Sequence, residues 1–363
     1  MTTFITISIG YMTNMQFNEL NQNYKKSIML WLLTLTVMVF LIIIIGGLTR
    51  LTDSGLSMVD WQPIFGTLPP LNNTQWLDVF NDYKVTPEFL YVNKNMNLEE
   101  FKYIFWWEWF HRFFARLIGL VFIIPFLYFF IKKNLNSFFY KRFSIIFTLG
   151  LLQALVGWWM VKSGLSENPY VSPYRLTFHL SNAVIIYALL LWTTIEYYHS
   201  TSANFISFES KNNLIFISIV LVFITILSGG FMAGSHAGQS FNTYPLMNGK
   251  FIPDDIYLED LGFLNLFENT VMINFNHRWI ATITFIYTFS FFSYLIFNKF
   301  INLSNRIIIS VLLVLTLQFL LGILALLSNV AIHYGSLHQT NSIALLSILF
   351  IAYFKSKITG VKS

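Results

Sequence analysis

Two histidine pairs recur at matching positions in the two halves of this chain. His111 and His277 each precede an arginine, Arg112 and Arg278. His179 and His338 each stand three residues before an asparagine, in HLSN and HQTN. Upstream of each of these lies a QxxxG segment, Gln153–Gly157 and Gln318–Gly322. The separations His111 to His179 and His277 to His338 are comparable, so the chain reads as a tandem duplication with one histidine pair per half. Two imidazoles per half, carried on helices, suit the axial positions of a b-type heme, and the pairs predict two heme sites. Zinc is the poorer fit, because its sites usually add cysteine or carboxylate in a tighter cluster. The chain has no cysteine, which excludes disulfides, thiolate ligands, iron–sulfur clusters and covalent c-type heme attachment.

Such ligands need helices to hold them, and the chain supplies membrane helices. Its 363 residues are 55% hydrophobic and 11% charged, with mean hydropathy +0.60, too little charge for the surface of a soluble protein of this size. Apolar runs of about 20 residues, the length that crosses the hydrocarbon core, fall at about 27–48, 111–131, 143–163, 175–196, 213–233, 273–298, 307–329 and 335–354. The expected fold is all-α: a polytopic membrane protein whose eight transmembrane helices form two tandem four-helix bundles. Residues 1–26 are expected to be an inner tail. The first repeat spans 27–200 with a long outer loop at 49–110. The second spans 201–354 with an outer loop at 234–271, and 355–363 form a second inner tail. The first apolar run is too long for a cleaved signal, so it is expected to remain as an anchor.

Lysine and arginine placement orients the chain. With the N-terminus inside, Lys25, Lys26, Lys132, Lys133, Lys141, Arg142, Lys211, Lys299, Arg306, Lys355, Lys357 and Lys362 fall on the inner side. They are more than half of the 22 basic residues and are opposed there by Glu19, Glu196 and Glu209. Both termini are then cytoplasmic. The net charge of +5 reflects topology and not nucleic-acid binding, because the basic residues are scattered singly and in pairs. In this orientation the second, fourth, sixth and eighth helices begin at the outer face. All four histidines lie in the first turns of those helices, at one depth. An ionisable residue inside a membrane helix is costly and marks function. His199 falls in an inner loop, His236 in an outer loop, and His333 on a different helix face from His338. None of these three joins the ligand set.

The halves differ in charge. Glu108 lies three residues before His111 and shares its face if the second helix begins early, whereas Asn274 holds the matching place in the second half. Aligning the histidines sets Arg116 against Thr282 and Arg175 against Tyr334. Aligning Gly46–Gly47 with Gly229–Gly230 sets Arg50 against Ala233. A carboxylate beside a heme edge can accept or relay protons. Arg50, Arg112, Arg116, Arg175 and Arg278 are candidate partners for heme propionates. Trp106, Trp107 and Trp109 read as an interfacial aromatic belt.

The stretches GGLTRLTDSGLSMVDWQPIFGTLPPL, EFKYIFWWEWFHRFFARLIGL, QALVGWWMVKSGL, PYRLTFHLSNA, AGQSFNTYPLMNGKFIP, NHRW and LHQTN together resemble the heme A synthase family, over nearly the whole chain. The resemblance implies oxidation of the C8 methyl of heme O to a formyl group, giving heme A for cytochrome oxidase. It implies that His111 and His179 face substrate heme O and that His277 and His338 ligate a resident heme b. Glu108 matches the family's catalytic glutamate. Heme O synthase, an electron-transfer partner and membrane lipid are the implied partners, and a homo-oligomer is compatible with them. The implied location is the inner membrane of a proteobacterium, or alternatively of a mitochondrion, since the chain lacks the cysteine pair of another branch. Where the family often has Asp before the AG of the third outer loop, this chain has His236. The alternative reading is a diheme b-type electron-transfer protein, which accounts for four histidines but not for extra charges confined to one half. A transporter with internal repeats would not need four ligands at one depth.

Overall fold

The computed structural model describes residues 24–60, 65–135, 137–166, 168–199, 212–298 and 301–359. Most of the expected N-terminal tail (1–23), the connection 200–211, the last residues 360–363 and residues 61–64 of the first outer loop lie outside the described residues. The membrane helices are α1 (Lys25–Leu51), α2 (Leu98–Ile131), α3 (Ser137–Gly164), α4 (Pro173–His199), α5 (Asn213–Gly234), α6 (Thr270–Asn298), α7 (Asn305–Leu327) and α8 (Ile332–Thr359). Among the described residues these eight are long and apolar enough to cross a membrane. The chain is a polytopic all-α membrane protein. Helices are the natural outcome, since hydrocarbon offers no partner for a free backbone N–H or C=O.

The two bundles share one core. Helix α1 packs on α2, α4 and α8, and α5 packs on α4, α6 and α8. Leu32, Phe143, Val184, Trp192, Ile215, Phe292, Val311 and Leu349 bury into a single cluster running through both halves. Direct hydrogen bonds add to it, Thr36 to Thr194 at 2.9 Å and Tyr187 to Ser347 at 2.7 Å, the latter crossing from one half to the other. Near the α4 C-terminus Arg142 pairs with the fully buried Glu196. The halves differ in one contact: α6 and α7 pack along their length, whereas α2 and α3 barely touch.

Helix α2 begins well before the expected residue 111. Asn97 caps it: its side chain accepts from the Glu99 and Glu100 amides, and Glu100 reaches back to the Asn97 amide at 2.9 Å. This capping box is legible as N-x-x-E. Counting apolar residues finds the part of a helix that lies in hydrocarbon and misses the part that projects beyond it. The projecting turns seed a folded outer layer where a loop over 49–110 was expected. Helices Asn73–Lys84 and Pro87–Tyr91 bury Trp76, Phe80 and Tyr83 against Phe101, Ile104 and Phe105 of α2.

Glu88 is buried in that layer, accepting from the Tyr83 hydroxyl at 2.9 Å, which itself accepts from Asn93 at 2.8 Å. Burial pushes the Glu88 carboxyl up to about 8, against the Tyr83 hydrogen bond, which pulls it down. Burial also raises the Tyr83 phenol. Between the ordinary value and about 8 the folded layer keeps a proton that the unfolded chain has released, so its stability falls as pH rises through that window. Proteolysis of the layer should therefore quicken from pH 5 to pH 8, and Glu88→Gln should flatten the profile. An equally steep profile in the variant would assign the dependence elsewhere.

Candidate functional site

The histidines are set by glycines on the preceding helices. Gly46 of α1 faces His111 of α2, Gly157 of α3 faces His179 of α4, Gly229 of α5 faces His277 of α6, and Gly322 of α7 faces His338 of α8. A Cβ on these glycines would stand 3.3 Å from His111 Nε2, 3.0 Å from His179 Cε1, 3.4 Å from His277 Cε1 and 2.9 Å from His338 Cε1. A Cβ would crowd the rings of His338, His179 and His111 and would just touch that of His277. Gly46, Gly229 and Gly322 stand about five residues before the ends of their helices and Gly157 about seven. At about 1.5 Å per residue, the rings lie roughly 8–10 Å below one end of the bundle. His179, His277 and His338 sit within about two turns of their helix starts, as expected. His111 does not, because α2 extends into the outer layer. His111 lies within electrostatic range of His179, and His277 of His338, so the pairs form within halves.

The QxxxG and HxxN signatures meet at the rings. Asn182 donates to the Leu149 carbonyl at 3.1 Å and to Gln153 Oε1 at 2.7 Å, and Gln153 Nε2 lies 3.2 Å from His179 Nε2. In the second half Asn341 donates to the Val314 carbonyl at 3.0 Å and to Gln318 Oε1 at 2.9 Å. Gln318 Nε2 then lies 3.2 Å from His338 Nδ1. The glycine makes room for the ring, the glutamine one turn away touches it, and the asparagine holds the glutamine. His277 Nδ1 has Ser228 Oγ at 2.8 Å, a contact that no sequence signal pointed to.

Glu108 is buried and lies on the His111 helix, as the early start of α2 requires. Its Oε2 accepts from the Ser57 hydroxyl at 2.6 Å and the Met58 amide at 2.9 Å, and its Oε1 accepts from Arg112 at 2.5 Å. Arg112 also donates to the Met58 carbonyl at 3.0 Å. The second half repeats this clamp with an amide. The buried Asn274 donates to the Ala237 carbonyl at 2.7 Å and accepts from Arg278 at 2.7 Å, and Arg278 also donates to the Phe241 and Thr243 carbonyls. The arginine of each HR motif thus fastens an outer loop over its histidine. A carboxylate completes the clamp in one half alone.

The other candidate arginines separate. Arg50 crosses between the halves, donating to Asp53 at 2.5 Å, to the Ala233 carbonyl at 2.6 Å and to His236 Nε2 at 2.8 Å. His236 adopts φ +55° to meet it. Burial, with the neighbouring Arg50 charge, holds His236 below the ordinary imidazole value, so its neutral ring is an acceptor for Arg50. That accounts for a histidine where an aspartate would serve equally as partner. Arg175 donates to the Trp159 carbonyl at 2.8 Å and stacks over that indole. Arg116 lies one turn along α2 from Arg112.

Among the described residues no three His, Cys, Asp or Glu side chains gather as an ion site. Paired imidazoles with glycine-lined space suit an iron whose equatorial ligands come from a porphyrin, and His179 Nδ1, buried without a partner, marks a ring not yet settled by the protein alone. Residues 29–350, which include both pairs, match COX15-CtaA, the cytochrome oxidase assembly protein family. The chain belongs to this family. Among its relatives, the heme A synthase of Nitrosospira multiformis is 43% identical over 327 residues, covering 88% of this chain and 91% of that protein. That of Nitrosomonas eutropha is 40% identical over 332 residues, covering 90% and 93%. That of a Wolbachia from Brugia malayi is 37% identical over 344 residues, covering 93% and 100%. The matched residues 29–350 begin in α1 and end in α8, so both cradles and both clamps lie inside those bounds.

Proposed function

We propose that this chain is a heme A synthase, an oxidoreductase that converts the C8 methyl of heme O to a formyl group and so provides heme A for cytochrome oxidase. The observation that carries the reading is the matched pair of histidine cradles of which one alone has a buried carboxylate, Glu108, on the helix of its ligand. His111 and His179 orient the substrate heme. His277 and His338 hold heme b, which when bound supplies one-electron redox chemistry. Glu108 accepts protons from the substrate, with Arg112 and the Ser57–Met58 turn fixing its direction. Arg175, at the start of α4, stands at the polar end for the substrate propionates, and Arg116, five residues past His111 on α2, is a candidate partner from the inner side of the ring.

The loose α2–α3 contact supports a substrate site open to lipid, since Leu117, Leu120 and Ile124 of α2 and Leu151 and Leu155 of α3 are exposed. A farnesyl tail would lie against such a surface. The charge asymmetry supports placing the histidine end at the outer face of a bacterial inner membrane, with both termini cytoplasmic. Heme O synthase and an electron-transfer protein are the partners this chemistry requires.

Pyridine hemochrome and extracted-heme chromatography of the purified protein test the reading. Heme B together with heme O or heme A is expected. Two hemes B per chain with neither of the others would favour a diheme electron-transfer protein, and a heme-free protein would end both readings.

A further inference from the structure

Hydrogen-bond polarity distinguishes the rings. A serine hydroxyl has one proton, and Ser228 gives its proton to the Thr225 carbonyl at 2.8 Å. Toward His277 the Ser228 oxygen must therefore accept, so Nδ1 carries the ring proton and Nε2 keeps its lone pair for iron. The resident-site ligand is set for ligation before any iron arrives.

His179 is set the opposite way. The Leu149 carbonyl can only accept, so the Asn182 NH2 group must face it, and the same NH2 donates to Gln153 Oε1. What remains to face the ring is the Gln153 NH2, 3.2 Å from His179 Nε2. A donor is satisfied only by a lone pair. The Nε2 lone pair is therefore taken, and the proton sits on Nδ1, which is buried without a partner. The second half carries the same relay, with the Gln318 NH2 3.2 Å from His338 Nδ1 and 3.5 Å from Nε2, so His338 too has a ring lone pair facing a donor. Aligning the glycine pairs sets Ile45 opposite Ser228, so His111 has no hydroxyl at the position that prepares His277.

We propose that the Gln153 amide is a placeholder for iron at His179, holding the Nε2 lone pair when no heme is ligated and competing with iron for it. This rests on the reading that the first pair takes the substrate heme. On ligation the Gln153 N–H···Nε2 bond breaks and an iron–Nε2 bond forms. The amide keeps a second acceptor, the His179 carbonyl at 3.2 Å, to which it can turn wholly. His179 is thereby an exchangeable ligand, as a substrate and product that pass through at each turnover require. The resident site has one ligand under such a relay, His338, and one prepared by a hydroxyl acceptor, His277, whereas the first pair has no ligand prepared in that way.

Transfer of heme O from the full-length protein to excess apomyoglobin, followed by absorbance, tests this. Gln153→Leu removes the competing donor and adds no acceptor. Release of heme O is expected to slow by about three- to fivefold in Gln153→Leu and in the smaller Gln153→Ala, with heme b content unchanged. Heme b content reports the fold, and if the buried leucine costs it, Gln153→Ala decides. Release at the wild-type rate or faster, with heme b intact, overturns the proposal. A wild-type protein that takes up no heme O overturns instead the reading beneath it.

Discussion

His277→Ala and His338→Ala proteins are expected to lose heme b by at least about tenfold, whereas His111→Ala and His179→Ala proteins keep it and make no heme A. The cradle geometry gives the reason. Each ring faces a glycine, which has no side chain to stand in for a lost imidazole, and even loss of an outer-shell partner costs a metal site about 10–100-fold. The pairs lie in separate halves, so damage to one leaves the other's helices in place: His111 and His179 interact with each other, as do His277 and His338. Heme b per chain by pyridine hemochrome, beside heme A by chromatography, reads both halves of the expectation. Equal loss of heme from all four variants would remove the division of labour.

Glu108→Gln is expected to give a folded protein that retains heme b and still binds the substrate heme, with heme A output lowered by at least about tenfold, the low side of what a lost general base costs. The amide preserves the size of the side chain but cannot take up a proton. It also cannot satisfy every donor around it. Ser57, Met58 and Arg112 all donate to the carboxylate, and an NH2 group must replace one of its acceptor oxygens. Asn274 shows that the clamp tolerates an amide when the loop offers a carbonyl, as Ala237 does. Ser57→Ala separates the two contributions, since it removes a clamp donor and leaves the carboxylate. Its heme A output should stay within a few-fold of wild type. Accumulation of heme at the alcohol oxidation level in Glu108→Gln would place the loss late in the oxidation. Wild-type output from Glu108→Gln would reduce the residue to a fastening.

Much of the site was legible in the chain because it is built twice. Repetition turned four single histidines into two pairs. The glutamine and asparagine recurring beside His179 and His338 mark the relays Gln153–Asn182 and Gln318–Asn341. The early start of α2 was also written, as the Asn97–Glu100 capping box, but apolar periodicity does not register a helix outside the hydrocarbon. Ser228, the Arg50–His236 bridge and the buried Glu88 were not legible. Each draws its meaning from a partner with no fixed spacing in sequence: His277 across the α5–α6 contact, Ala233 and His236 across the halves, and a layer packed on a projecting helix.

By itself the sequence determined the membrane class, the eight crossings, the duplication and the identity of the four histidines. These depend on length, hydropathy and periodicity, which are local properties of the chain. The tertiary structure alone decided which way each hydrogen bond runs. Whether a ring nitrogen offers its lone pair or has it occupied depends on a carbonyl one or two contacts away, Thr225 behind Ser228 or Leu149 behind Asn182. A backbone carbonyl can only accept, and it passes that polarity along each side chain to the ring. Such polarity exists only once the helices have packed, and it is what distinguishes His277, whose Nδ1 faces an acceptor, from His179, whose Nε2 faces a donor.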